Sequence, residues 1–431
     1  MSLGLMSFIL IGTLLILLAA GVHIAIAIGL VGALGLLLFV DQPLNQFAYS
    51  AFEVMNSFVL TAVPLFSFMG AIFHTTGLTQ FLFSGADRLI RGLPGGIACS
   101  VMVANAIFGA MEGSSVAATA TFGKTCYPQM ERLGYKPSLS LGSIAIGGTL
   151  AVLIPPSVIL IVYGSWQNVS VARLFAAGMI PGIILASLLM LTVIVLVKLN
   201  PSLAPKVLAI TMRERLTALV DILPFVVVIG LVLGSIFGGI MTPTEAASLG
   251  AALSILLALA YRRMTFAALK ESMRAAVSIT AMLALLMVTS RVLGQVFQYI
   301  GLIEVFSGFM LGLPFGKYGI FAVICVMYLI LGMFFESFAM LVLTLPFVSL
   351  IISNLGFNFV WFGVVYVVLA EIGMVTPPFG LMLFVLHNVV PQHDIMKIAL
   401  GVLPFMIPLI LMVVILTAFP QLALWLPGIL Y

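Results

Sequence analysis

The run Leu150-Ala151-Val152-Leu153-Ile154-Pro155-Pro156-Ser157-Val158 sets two adjacent prolines inside an otherwise apolar stretch. Leu139 to Ile154 reads as helix, and so does Val158 to Gly164. Between them the prolines withhold backbone donors and push each preceding residue out of the α region. In water this would be an ordinary helix end. In a bilayer it leaves carbonyls and amides unpaired, which is tolerated only where they are buried in protein or line a cavity. The same device recurs at Val375-Thr376-Pro377-Pro378-Phe379. Two broken helices, one in each half of the chain, point to a transporter.

Composition supplies the bilayer. The chain has 431 residues, 63% hydrophobic and 7% charged, with a mean hydropathy of +1.32. Soluble domains carry about 25% charged residues, so most of this surface faces something other than water. The net charge of +4, from 17 Lys+Arg against 13 Asp+Glu, reflects membrane orientation rather than nucleic-acid binding. Cys99, Cys126 and Cys325 are scattered, as are His23, His74, His387 and His393, which gives no disulfide framework and no metal-ligand spacing. There is no P-loop, Gly-x-Ser-x-Gly elbow or His-Glu-x-x-His, so neither ATP hydrolysis nor another enzyme activity is expected of this chain. The apolar run from Ser7 to Val40 is too long for a signal peptide and lacks a basic start. It reads as one very long span or, with Gly21 and His23 at its middle, as two short ones.

Asp41 to Asn56, with Asp41, Pro43 and Glu53, reads as a polar loop, and Ser57 to Thr75 as a span. Thr76 to Pro94, carrying Asp87, Arg88 and Arg91, reads as an amphipathic interfacial segment. Ile97 to Ala110 is apolar but short of the roughly 20 residues a crossing needs. It stops at Glu112-Gly113-Ser114-Ser115, and a small-residue helix runs on to Lys124. Arg88 and Arg91 precede this segment and Lys124, Arg132 and Lys136 follow it. With basic residues on one side of the membrane, it is a hairpin that enters and turns back. The broken helix, Leu139 to Trp166, crosses to Gln167–Ser170, and Leu174 to Val197 returns to Lys198, Lys206, Arg213 and Arg215. Spans near Ile222–Phe237 and Ala246–Tyr261 lead back to Arg262, Arg263, Lys270 and Arg274.

From Ala275 the programme repeats, starting from the opposite side. Ala275 to Phe297 leads outward, and Tyr318 to Leu350 is a second hairpin with its turn at Phe335-Glu336-Ser337. Phe359 to His387 is the second broken helix and Ile398 to Phe419 the last span. Ser114 to Pro155 and Glu336 to Pro377 are both separations of 41 residues. Thr76-Gly77-Leu78 with Gly92-Leu93-Pro94 is echoed by Ile300-Gly301-Leu302 with Gly312-Leu313-Pro314. The pattern is an inverted-topology repeat, which many secondary transporters share.

In such an arrangement hairpin tips and helix breaks meet near the midplane, where freed carbonyls coordinate Na+ and helix N-termini face an anionic substrate. Gly113, Ser114, Ser115 and Thr119 beside Leu150–Pro156 supply hydroxyls and bare backbone of that sort. Taken singly, such small residues would be tight-packing positions; the matched pair favours function. Arg291 lies inside a span, where it holds a substrate carboxylate, snorkels, or pairs with a carboxylate such as Glu304. Arg291, Ser157 and Thr119 are the substrate candidates. Glu112, Glu336 and Glu371 are ion ligands, proton carriers or ion-pair partners; with no His or Lys repeated beside them, Na+ coupling ranks above a proton relay. Met241 to Ala247 reads as a helix start capped by Thr242 or Thr244.

Gly113-Ser114-Ser115 with Ala118-Thr119, Gly134-Tyr135, Gly147-Gly148-Thr149-Leu150, Leu153-Ile154-Pro155-Pro156-Ser157 and Tyr163-Gly164 resemble the large membrane subunit of TRAP (tripartite ATP-independent periplasmic) transporters. Thr242-Pro243-Thr244-Glu245-Ala246-Ala247 and Thr376-Pro377-Pro378-x-Gly380 fit as well, and the match runs from the first span to the last. The resemblance implies an all-α polytopic protein of the bacterial inner membrane, an elevator-type Na+ symporter with scaffold and transport domains. It assigns 1–56 to N-terminal scaffold helices and 57–200 to a first repeat (hairpin 95–126, broken helix 139–166). It assigns 201–274 to connecting scaffold helices and 275–431 to a second repeat (hairpin 318–350, broken helix 359–387). Implied partners are a small membrane (Q) subunit and a periplasmic substrate-binding protein that delivers an organic acid anion, such as a C4-dicarboxylate, sialic acid or a sugar acid. Na+ is the implied coupling ion, with no organic cofactor. Carried onto this chain, one Na+ site involves Ser114, Ser115, Ala151, Ile154 and Pro156, and the other Gly332, Gly373, Met374 and Thr376. Two departures stand out: Ala151 where the family often has Gly, and Glu112 where a small polar residue is common. The alternatives are a stand-alone transporter of similar double-hairpin build and, less favoured, an integral membrane enzyme, which would need a clustered carboxylate, histidine or metal site.

Overall fold

In the computed structural model, residues 2–40, 44–205 and 211–431 are described, and over these the chain is helical with no strand. Asp41, Pro43 and Lys206 lie outside the described residues. The long N-terminal apolar run is two helices, α1 (Leu3–Ala19) and α2 (Ile24–Gly35, prolonged by a π turn over Leu36–Val40), parted at Ala20–His23. Then come α3 (Gln46–Met55), α4 (Ala62–Thr75) and α5 (Leu78–Ile90). The first hairpin is α6 (Gly96–Glu112) and α7 (Ser115–Arg132), and the first broken helix is α8 (Pro137–Leu153) and α9 (Val158–Gln167). Next are α10 (Val171–Leu199), α11 (Met212–Phe237), α12 (Pro243–Ala260), α13 (Phe266–Tyr299) and α14 (Leu302–Leu311). The second hairpin is α15 (Gly316–Phe334) and α16 (Ser337–Asn354), followed by the second broken helix, α17 (Phe359–Val375) and α18 (Leu381–Val389). The chain ends with α19 (Ile395–Ala418) and α20 (Gln421–Leu430).

Among the described residues seven helices are long and apolar enough to cross a membrane, and nine if the bent pairs α3 with α4 and α8 with α9 count as one span each. The protein is therefore a multi-pass membrane protein. Both arms of the second hairpin meet the length test by themselves, so its tip is located by packing rather than by arm length.

Several boundaries differ from the sequence expectation, each for a local reason. The segment expected to be a polar loop carries α3, which packs on α13 and exposes Tyr49, Phe52 and Met55. Its polar residues lie among apolar ones at helical spacing, as on a helix lying at an interface. The second arm of the first hairpin runs past residue 126 to Arg132, with Pro128 inside it. A capping box closes the start of α11, where the Thr211 Oγ1 accepts from the Glu214 N–H at 3.3 Å, so that helix begins ten residues before Ile222. The Thr265 Oγ1 accepts from the Ala268 N–H at 3.1 Å, which starts α13 well before Ala275 and puts Lys270 and Arg274 on the helix. At α12 Thr242 is the cap, reciprocated by Glu245, whereas Thr244 donates to the Phe58 carbonyl at 3.1 Å. The helix α20 lies beyond the last expected span and packs against α10.

Hydropathy does not reveal which helices are central, but burial does. Every residue of α8 from Leu139 to Leu153 and of α17 from Trp361 to Val375 is buried. The helices α6, α7 and α19 surround α8, and α15, α19, α10 and α16 surround α17. By contrast α11 turns Leu216, Leu219, Val220, Leu223, Val226, Val227 and Leu231 outward, as a lipid-facing helix does. A second neighbourhood gathers around α4 and α13, against which α2, α3 and α12 pack, with α5 and α11 paired beside them.

The hairpin arms touch the broken helices with almost no side chain between. A Cβ placed on Gly109 of α6 would lie 2.1 Å from the Cα of Ala151 on α8. A Cβ on Gly332 of α15 would lie 2.7 Å from the Cα of Gly373 on α17. Such approach is how membrane helices gain contact where hydrophobicity gives no drive between them. Gly109→Ala is expected to cost about 1–3 kcal/mol by overpacking and to lower the thermal-unfolding midpoint of the purified protein. Gly230→Ala, on α11 with nothing within 4 Å of the added carbon, is expected to leave it unchanged.

Candidate functional site

Each hairpin tip lies on the break of the helix that follows it. In the first half, Gly113 has φ 65° and ends α6, and the Ser114 Oγ accepts from the Ala117 N–H at 3.4 Å to start α7. A Cβ on Gly113 would lie 3.1 Å from the Val158 nitrogen and 3.4 Å from the Pro156 carbonyl oxygen. In the second half the Glu336 Oε2 accepts from the Phe338 N–H at 3.2 Å, and the Ser337 Oγ donates to the Met374 Sδ at 2.6 Å. The rings of Phe334 and Phe379 lie 5.1 Å apart across the same junction.

The prolines decide which carbonyls are free. Pro155 and Pro156 have no N–H, so the Ala151 and Val152 carbonyls lose the donors that helix geometry would bring. Pro377 and Pro378 do the same to Gly373 and Met374; the Gly373 carbonyl instead accepts from the Thr376 N–H at 3.0 Å. The hydroxyls of Ser115 and Ser157 are buried without a hydrogen-bond partner among the described residues. Hydroxyl and carbonyl oxygens left over in this way are the donor set that a hard monovalent cation takes, so the first break has oxygens that fit Na+ chemically, whereas at the second the Thr376 hydroxyl donates to the Ile372 carbonyl at 2.6 Å.

Between the tips lies a cavity of about 1060 Å³. Glu112, Gly113, Ser114, Phe335, Glu336, Val158 and Leu381 line it on one side, and Leu18, His23, Ser67, Ile279, Met282 and Leu286 on the other. The N-terminal ends of α7, α9, α16 and α18 all reach it. Their unpaired N–H groups and positive dipole ends favour an anion, whereas Glu112 and Glu336 place acidic groups on the same wall.

The residues singled out from sequence divide into three groups. Ser114 lines the cavity, and Ser115, Ser157, Ala151, Ile154 and Pro156 sit at the first tip and break behind it. Gly332, Gly373, Met374 and Thr376 come together at the second. Thr119 and Arg291 do not join them. Thr119, on α7, is fully buried against α8 and α18, where its Oγ1 donates to the Met382 Sδ at 3.3 Å. Arg291 lines a separate cavity of about 500 Å³, together with Trp166, Gln295, Gln298 and Glu304. Its ion-pair partner is Glu53 rather than Glu304, and its guanidinium lies 5.6 Å from the centre of the Trp166 ring. Glu53 was hidden by the expectation of a loop at α3. Ser67 and His23 also line the central cavity unannounced; His23 had a signal in the break beside Gly21, whereas Ser67 had none. Ala151 is accommodated because the facing residue, Gly109, has no side chain.

Known proteins agree with this architecture. Residues 11–422 match the family described as Tripartite ATP-independent periplasmic transporter, DctM component. The C4-dicarboxylate TRAP transporter large permease protein DctM of Pseudomonas aeruginosa is 31% identical, over 93% of this chain and 94% of its own length. The sialic acid TRAP transporter large permease protein SiaM of Vibrio cholerae is 29% identical, over 95% and 96%. The crystal structure of the YdaH transporter of Alcanivorax borkumensis superposes with a TM-score of 0.57 over 88% of each chain at 14% identity, a likeness of fold alone. This chain belongs to the DctM-component family of tripartite ATP-independent periplasmic transporters, the large membrane permeases of that system.

Proposed function

We propose that the chain is the permease of a Na+-coupled, binding-protein-dependent importer of organic acids in a bacterial inner membrane. It works with a small membrane subunit and a periplasmic substrate-binding protein. The observation that carries this function is the central cavity, reached by four helix N-termini and flanked by two breaks with freed carbonyls. The N-termini suit a carboxylate substrate, and relatives named for C4-dicarboxylates and for sialic acid support an organic acid anion. Na+ at the first break is held by Ser114, Ser115, Ala151, Ile154 and Pro156, and at the second by Gly332, Gly373, Met374 and Thr376. Ser114, which lines the cavity, meets the substrate, whereas Ser157 is fully buried behind it and supports the first break. Arg291 and Thr119, away from this cavity, hold helices together instead.

The two halves, 57–200 and 275–431, form an inverted repeat, supported by the matched lengths of α8 and α17 at 17 residues each. It is supported too by the equal spacing of 41 residues from Glu112 to Leu153 and from Phe334 to Val375. Hairpins and broken helices move together, as an elevator, past a scaffold built on α2, α4 and α11–α13, with 1–56 and 201–274 supplying much of it.

Reconstituted with its binding protein and small subunit, the chain is expected to accumulate substrate only under an inward Na+ gradient. Uptake indifferent to that gradient would overturn the coupling. Ser115→Ala and Thr376→Ala, one at each break, are each expected to raise the Na+ concentration needed for half-maximal uptake by about 10-fold or more while leaving membrane insertion intact. Normal Na+ dependence in both would remove the site assignment.

A further inference from the structure

The most deeply buried acidic group near the site belongs to neither break as described. Glu371 lies on α17 and is 2% exposed. Its Oε1 is 3.4 Å from the Ser337 Oγ, and its Oε2 has no hydrogen-bond partner. The Ser115 hydroxyl, buried and without any other partner, faces this same carboxylate. Among the described residues the ion pairs are Arg88–Asp221, Arg91–Asp87 and Arg291–Glu53, none of which involves Glu371. Basic residues on the helices near it (Lys136, Arg173, Lys198, Lys317, Lys397) stand at helix ends, away from the buried middle of α17. The titratable groups that face it are Glu336 and Tyr366, and neither brings positive charge. A carboxylate so enclosed is costly without a counter-charge.

We infer that Glu371, with Ser115 and Ser337, forms a third monovalent-cation site that joins the two hairpins. The inference rests on the Na+ coupling proposed above and deepens it. Carboxylate and hydroxyl oxygens are hard ligands suited to Na+, and the Glu371 Oε2 is left without a hydrogen-bond partner while the Ser115 and Ser337 hydroxyls face its carboxylate. Ser115 is the first residue of α7 after the first tip, and Ser337 the first of α16 after the second. Each tip–break site lies within its own half of the chain, whereas this one spans both. An ion there neutralises Glu371 and ties together the tips that wall the central cavity, so that Na+ binding at one half is felt by the other.

The test is Na+-dependent thermal unfolding of the purified chain in nanodiscs, with choline chloride holding ionic strength constant, alongside binding of radioactive Na+. Wild type is expected to gain stability steeply with Na+. Glu371→Gln keeps the shape and removes the charge. It is expected to unfold like wild type in choline, to need about 10-fold or more Na+ for half the shift, to lose steepness, and to bind one Na+ fewer per chain. If that variant does not purify, Ser337→Ala and Glu371→Asp serve, and both are expected to move the Na+ requirement in the same direction. Variants that match wild type in Na+ requirement, steepness and stoichiometry overturn the third site alone. A change confined to pH dependence assigns Glu371 to protons and overturns it as well. Wild type that ignores Na+ overturns both the site and the coupling beneath it.

Discussion

Everything in this structure depends on what a bilayer does to an unpaired backbone group. A helix that stops inside the membrane leaves carbonyls and N–H groups that lipid cannot satisfy. This chain stops two apolar helices with paired prolines, at Pro155-Pro156 and Pro377-Pro378. Protein encloses the first break, where Ile154 to Val158 are buried, and it buries α8 and α17 along most of their length, while at the second break Pro378 and Phe379 remain exposed. Each break is met by a hairpin tip, Gly113 against Pro156 and Val158 and Ser337 against Met374, so polar backbone from two sources is gathered in one place.

The enclosure is achieved by removing side chains. Where α6 meets α8 and α15 meets α17, glycine lets one backbone rest on another. The Gly109–Ala151 contact shows that the requirement belongs to the pair and not to one position. An alanine on the broken helix is tolerated when its neighbour has no Cβ. Outer helices such as α11 carry no such constraint, and their large aliphatic residues point outward.

Much of this was legible in the residues. Proline pairs, hairpin turns and their common separation of 41 residues are local features, and local features survive translation into structure. Helices end or begin beside each of them, at Glu112 and Ser115, Leu153 and Val158, Phe334 and Ser337, and Val375 and Leu381. Segments whose helicity depends on capping or on an amphipathic face were harder. Thr211 with Glu214 and Thr265 with Ala268 extend α11 and α13 beyond their apolar stretches, and hydropathy alone is blind to that. The helix α3 was missed because in a chain this apolar a few polar residues look like a loop.

The sequence by itself determined that the chain lives in a membrane, that paired prolines break two of its helices, and that a helix-ending turn lies 41 residues ahead of each pair. These follow from composition, from the missing N–H of proline and from spacing, none of which needs a neighbour. Only the tertiary structure decided that Arg291 pairs with Glu53, that Thr119 packs against Met382, and that Glu371 meets Ser337 at the second hairpin tip. In a chain that is 63% hydrophobic, the apolar pattern cannot separate a face turned to lipid from one turned to protein. Which polar side chain finds which partner is then set by helix packing across hundreds of residues, and no local pattern records it.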